Sequence, residues 1–243
     1  MIPGEFEYQQ ELQKPLASYP NLRTVIDTIP DFELFVYHFL ATDLLQLGQK
    51  PLSLETRRGI LRSALTGLAE LHDRGIVHND IKPNNILLDY EETSSDDLTI
   101  KSVQISDLED AVLLQPGRNL RVVAIYVMVN EMVFRVNDTE LSSDDAWWHI
   151  LRRHISFFGD EGGFEGLLQH IGEENVFFDR LIALASDFDS ERPRQPFAKW
   201  HYVDAGLRDL VVKMTNLDPA KRITAREALD HPWFRETCSS QKT

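Results

Sequence analysis

The sequence predicts an α+β fold with its helices concentrated in the second half, and three observations predict it. Leu34, Phe35, Val36 and Tyr37 form a short apolar run with the length of a buried strand. Residues 86–88 and 103–105 are two further strand-like pieces on either side of a polar stretch, 91–97, that offers nothing to pack. Helical spacing opens after Ser53 and returns from Val122 onward. The chain has 243 residues, 42% hydrophobic and 26% charged, so a predominantly disordered state is excluded.

Each element follows from its residues. The run at 34–37 gives way to a polar break at Ala41, Thr42 and Asp43, a strand followed by a hinge. Ser53 stands where a helix N-cap is needed. Ile60, Leu61, Ala64, Leu65, Leu68 and Leu71 then share one helical face, and Gly75 supplies the positive-φ stop. Residues 86–88 and 103–105 predict a hairpin with a long, mobile loop. Residues 122–133 are apolar nearly all round, as in a helix at the centre of a helical domain. The glycines of 159–166, GDEGGFEG, lack the spacing of a phosphate loop, so this stretch reads as a flexible connection between helices. Thr224 and Glu227 form a capping box before Ala228 and Leu229, and Pro232 marks the stop.

Charge narrows the partners. With 25 Lys+Arg against 39 Asp+Glu the formal net charge is −14, so nucleic acid and anionic membrane surfaces are excluded as expected partners. The longest apolar run, 122–129, falls far short of the ~20 residues of a membrane span, and residues 1–10 carry no basic and apolar leader. The single cysteine, Cys238, fits a reducing compartment, so a cytoplasmic or nuclear, intracellular location is expected. The eight histidines show no metal-ligand spacing. Only 12 glycines are present, and none falls in a G-x-G-x-x-G or G-x-x-x-x-G-K-[ST] arrangement.

Chemistry concentrates in residues 78–85, HNDIKPNN, where the chain leaves the first long helix. Phosphoryl transfer asks for a carboxylate at the attacking hydroxyl, a cation near the moving phosphate, and oxygen ligands for magnesium. Asp80, Lys82 and Asn85 supply one of each, and Asp107 in ISDLED adds a second carboxylate suited to bridging magnesium and nucleotide phosphates. Residues 89–110 hold eight carboxylates and one lysine, which attracts divalent cations.

HNDIKPNNILLD followed by VQISDLED resembles the catalytic and magnesium loops of the eukaryotic protein kinases. His78, Asn79, Asp80, Lys82, Pro83 and Asn85 match the family's H-R-D-x-K-P-x-N string except at Asn79. Asp107, Leu108 and Glu109 match its D-F-G except at the last two positions. LDPAKRITAREALDHPWF, residues 217–234, is similar to the closing helix of serine/threonine kinase domains, and the Lys82-Pro83 pair belongs to that branch. The resemblance implies a kinase-like fold, mainly the large helical lobe with a remnant of the small β lobe. Residues 1–40 would be that remnant, a regulatory helix and two strands, residues 41–236 the large lobe, and 237–243 a tail. It further implies Asp80 as catalytic base and Lys82 at the transferred phosphate, with Asn85 and Asp107 on Mg2+. ATP would lie with Tyr37 at the back of the adenine pocket, backbone groups of His38, Phe39 and Leu40 at the base, and Asp43 at the ribose. His78 would be a packing and backbone-bonding residue with no chemical role.

The pattern is broken in places. No glycine loop precedes the hinge, and the lysines upstream of Lys82, Lys14 and Lys50, both precede proline rather than sitting in a strand. Glu7 or Glu11 would be the regulatory-helix partner of a lysine that is missing. Fifteen or so residues after Asp107 the apolar run begins, with no Ala-Pro-Glu and no Asp-x-Trp-Ser-x-Gly. Arg222 therefore lacks its usual glutamate. Since a buried unpaired arginine costs about 3–5 kcal/mol, it must find another carboxylate or move to water. Two readings stay open: a serine/threonine kinase acting on a protein substrate, or a pseudokinase or inactive fragment serving as a binding or scaffold module. The substrate, the partner and the oligomeric state are not specified.

Overall fold

The computed structural model describes residues 4–92, 98–113, 137–142 and 145–235. Helix α1 (Glu5–Gln13) leads to an antiparallel pair, β1 (Asp27–Ile29) and β2 (Leu34–Val36), in which Thr28 faces Phe35. The segment at 42–47 holds β3 (Thr42–Asp43) and the single turn α2 (Leu44–Leu47). The long helix α3 (Leu54–His72) follows, then β4 (Ile76–Val77), β5 (Ile86–Glu92), β6 (Leu98–Ile105) and β7 (Val112–Leu113). The rest is helical: α4 (Asp138–Leu141), α5 (Ala146–Phe158), α6 (Glu161–Ile171), α7 (Phe178–Ser186), α8 (Ala205–Met214) and α9 (Ala225–Leu229). The fold is α+β, and among the described residues there are three small sheets, ordered β1-β2, β3-β5-β6 and β4-β7.

The core forms around α3. Ser53 Oγ accepts the Thr56 amide at 3.0 Å and so caps the helix, and Gly75 at φ +69° reverses the chain beyond it. The predicted stripe, Ile60 through Leu71, is buried against β6 on one side and α9 on the other. Gly67 lies where a Cβ would come within 2.5 Å of the Asn21 carbonyl, so the strip at 20–23 runs directly over the helix. That strip is sewn to β6 by Arg23 N to Ile105 O (2.8 Å), Ile105 N to Asn21 O (2.9 Å) and Asn21 Nδ2 to Val103 O (2.9 Å). These bonds fix α1 and β2 relative to the loop after β6.

Two expectations need correction. The run at 34–37 is not a buried strand: Leu34 is half exposed, because β2 has only β1 beside it. Residues 159–166 are not a flexible connection but contain the first turns of α6, capped by the Asp160 carboxylate on Gly163 N at 2.8 Å. The glycines are there for contact. A Cβ on Gly166 would meet Asp218 at 2.4 Å and one on Gly163 would meet Asn216 Oδ1 at 3.0 Å, so α6 packs backbone-close on the 216–218 turn. The expected helix at 122–133, the tail with Cys238 and residues 93–97 of the expected 91–97 loop lie outside the described residues, whereas Glu91 and Glu92 belong to β5, and both strands run further than the 86–88 and 103–105 expected. Among those described, no helix is long and apolar enough to cross a membrane.

Candidate active site

The site is built where the 78–85 loop meets the 106–109 loop. Hydrogen bonding between β5 and β6, with Ile86 facing Ile105, places the two loops side by side at one end of the hairpin. Ser106 locks them. Its amide and its hydroxyl both donate to Asn85 O, at 2.8 and 3.1 Å. His78, 1% exposed, completes the frame: Nδ1 accepts the Asp80 amide at 3.3 Å, which leaves Nε2 as the donor to Ser106 O at 2.7 Å. Burial pulls its pKa below the usual histidine value, so the ring is neutral and structural.

Four predicted residues converge. Lys82 Nζ lies 2.5 Å from Asp80 Oδ2. Asn85 Nδ2 lies 2.9 Å from Asp80 O, 3.1 Å from Asp80 Oδ2 and 3.1 Å from Asp107 Oδ2, so one amide spans both carboxylates. Asn85 is 6% exposed, and among the described residues its Oδ1 makes no hydrogen bond. Backbone conformation helps to aim them. Asn79 and Asp107 both adopt the left-handed region at φ +63°, a conformation that short Asx side chains tolerate. In this structure the amide nitrogen of Asn85 faces the Asp107 carboxylate, while an amide oxygen and a carboxylate on two such neighbouring residues are the hard-oxygen donor types that magnesium takes together with phosphate. Among the described residues no cluster of three or more His, Cys, Asp or Glu offers an all-protein metal cage.

The nucleotide-side residues are less convergent. Tyr37 Oη donates to Glu109 Oε1 at 3.2 Å, with the Arg23 guanidinium 4.8 Å over its ring. Burial, chiefly, pushes the Tyr37 phenol up to about 12, so it remains a neutral donor. The His38 carbonyl is already engaged by Arg23 Nε at 3.1 Å. Phe39 is 86% exposed and Leu40 half-buried, and neither side chain joins the Asp80, Lys82, Asn85 and Asp107 cluster. Asp43 caps α2, accepting Gln46 N at 2.9 Å and Gln46 Nε2 at 2.8 Å, so both its oxygens are engaged.

Two contacts were missed in the sequence. Glu7 and Glu11 are exposed, whereas Gln9, 2% exposed, faces the site and donates to Glu109 O at 2.7 Å. The signal was in the helix phase: Phe6, Gln9 and Gln13 form one buried stripe, from which Glu7 and Glu11 are excluded. Glu109 occupies the place of a glycine. Its carboxyl meets Tyr37, and burial together with the neighbouring Asp107 raises its pKa. Arg222 does not move to water. It is 8% exposed and donates from Nε to Asn216 O (2.7 Å) and from Nη2 to Leu217 O (3.1 Å).

The fold and the paired loops together point to a protein kinase domain. The chain belongs to the protein kinase domain family, whose model matches residues 21–234. Its relatives are serine/threonine kinases. It is 26% identical over 241 residues to the phosphorylase b kinase gamma catalytic chain, liver/testis isoform, of Bos taurus, covering 96% of this chain and 55% of that one. It is 29% identical over 184 residues to calcium-dependent protein kinase 21 of Arabidopsis thaliana, covering 73% of this chain and 30% of the relative. The chain thus spans about half the length of the first relative or less. Among solved structures, a chain of the yeast RNA polymerase II CTD kinase CTDK-1 complex superposes with TM-score 0.74 at 14% identity, covering 97% of this chain and 82% of that one. That likeness concerns the fold. Protein kinases as a family use ATP and Mg2+.

Proposed function

We propose that this chain transfers the γ-phosphoryl group of ATP to serine or threonine hydroxyls of a protein substrate. The observation that carries the reading is the Asn85 amide spanning the Asp80 and Asp107 carboxylates, with Lys82 paired to Asp80. Asp80 accepts the proton of the substrate hydroxyl as its oxygen bonds to the γ-phosphorus and the bond to the β-phosphate oxygen breaks, releasing ADP. Lys82 places positive charge where phosphoryl oxygens gather. Asn85 Oδ1 and Asp107 would hold Mg2+, which when bound supplies neutralisation of the triphosphate. Tyr37, held by Glu109, closes the back of the adenine space, while Phe39 and Leu40 present backbone groups from the hinge. At Asp43 a ribose contact requires the carboxylate to leave Gln46.

The overall charge of −14 favours a basic protein surface over nucleic acid as partner, and ATP with Mg2+ fits a cytoplasmic or nuclear setting. The test is thermal unfolding with and without nucleotide. Mg-ATP raises the melting temperature of the wild-type chain, and Asp107→Asn abolishes the shift. No shift up to millimolar Mg-ATP contradicts the reading and leaves a binding module without nucleotide.

A further inference from the structure

Far along the chain from the catalytic loops, α5 is two-faced. Trp148, Leu151 and Ile155 pack with Leu181 and Leu184 in a small second core. An adjacent face carries His149, Arg152, Arg153 and Ser156 at helical spacing, and these line a cavity of about 340 Å³ closed by the 193–195 segment. The cavity is rich in donors. Arg152 is held in place by Asp187 (Nε to Oδ2, 2.7 Å) and by the Phe188 ring 4.5 Å away, and its Nη2, shut off from solvent, has no hydrogen-bond partner among the described residues. Arg153 has no ion pair and no hydrogen bond among the described residues. Among the described residues Glu140 is the one carboxylate in the lining, 3.7 Å from His149 Nδ1.

In a chain of net charge −14 this is an unusual place to leave guanidinium donors over. The acceptor that suits two arginine forks lining one cavity best is a phosphoryl group, with three oxygens and near-double charge. The cavity does not end there. Through Gln195 it adjoins a second space of about 430 Å³, lined by Arg194, Lys199 and the stacked rings of Trp200 and Tyr202. Such a neighbour suits the residues flanking a phosphorylated side chain rather than a free ion.

We propose that the Arg152/Arg153 cavity is a recognition site for a phosphorylated serine or threonine on a partner peptide. The site is separate from the phosphotransfer reading and is tested without nucleotide. Calorimetric titration of the full chain uses a short phosphoserine peptide containing an aromatic residue, its unphosphorylated counterpart, and inorganic phosphate. The phosphopeptide is expected to bind about tenfold or more tighter than either. Arg153→Ala is expected to remove that preference with an unchanged melting temperature, since Arg153 makes no ion pair or hydrogen bond among the described residues. Arg153→Lys, which keeps the charge but loses the fork, is expected to lose several-fold. Equal affinity for the phosphorylated and unphosphorylated peptides overturns the proposal. So does a preference that survives Arg153→Ala, or inorganic phosphate binding as tightly as the peptide, which would mark a free-anion site.

Discussion

His78 shows how a residue at the centre of the site acts without touching the chemistry. Its ring accepts the Asp80 amide and donates to Ser106 O, tying the Asp80 loop to the Asp107 loop. Burial depresses its pKa below 6.5, so the neutral ring is the form the fold prefers. A depressed histidine contributes stability that is present above pH 6.5 and is lost as pH falls below it. Urea unfolding should therefore show stability dropping from pH 6.5 downward, with a shallower drop in His78→Asn. The slope decreases rather than vanishes, because burial lowers His72 in the same way. An identical slope in the variant would show that His78 is not the titrating group. Tyr37 has the opposite sign. Its phenol, pushed up to about 12, contributes stability that is full below pH 10 and lost as pH rises toward 12.

At the scale of elements, α6 and α1 carry the two lessons. Helix α6 contains three glycines in its first two turns that do different work. Gly166→Ala drives a Cβ to 2.4 Å from the Asp218 side chain, which itself holds the Ala220 amide at 2.9 Å, and should cost on the order of 1–3 kcal/mol. Gly162→Ala meets only ordinary contacts at 3.8 Å and should stabilise by up to about 1 kcal/mol through helix propensity. Chemical denaturation of the pair checks this, and shifts of equal sign would refute the packing argument. Helix α1 is tied to the 108–110 turn by the Gln9 to Glu109 O bond and stacks Phe6 on Phe35 at 4.7 Å. Gln9→Leu removes the tie while keeping the bulk. Amide hydrogen exchange in α1 should rise in that variant, and unchanged protection would contradict the tether.

Over the whole molecule, what could be read in advance depended on whether the physics was local. The α3 stripe with its Ser53 cap and the Thr224/Glu227 capping box were legible because spacing and capping are properties of adjacent residues. The convergence of Asp80, Lys82, Asn85 and Asp107 was legible because a hairpin register connects two short motifs. Tertiary contacts were not. The glycines at 162–166 resemble a loop until the 216–218 turn is set against them. Asp43 is a helix cap as naturally as a ribose ligand, and only its Gln46 bonds show the capping state. The choice of Gln9 over Glu7 and Glu11 needed the phase of α1 against the 108–110 turn.

The central claim is that Asp80 acts as the base of a phosphoryl transfer assembled by these contacts. It is tested by incubating the chain with Mg2+ and labelled ATP in the presence of a generic basic protein and measuring phosphate on serine and threonine. The wild-type chain is expected to transfer label, and Asp80→Asn to slow it by at least about 10²–10³-fold, the usual effect of losing one preorganised group. Equal transfer by the two proteins, or none by either, would contradict the account.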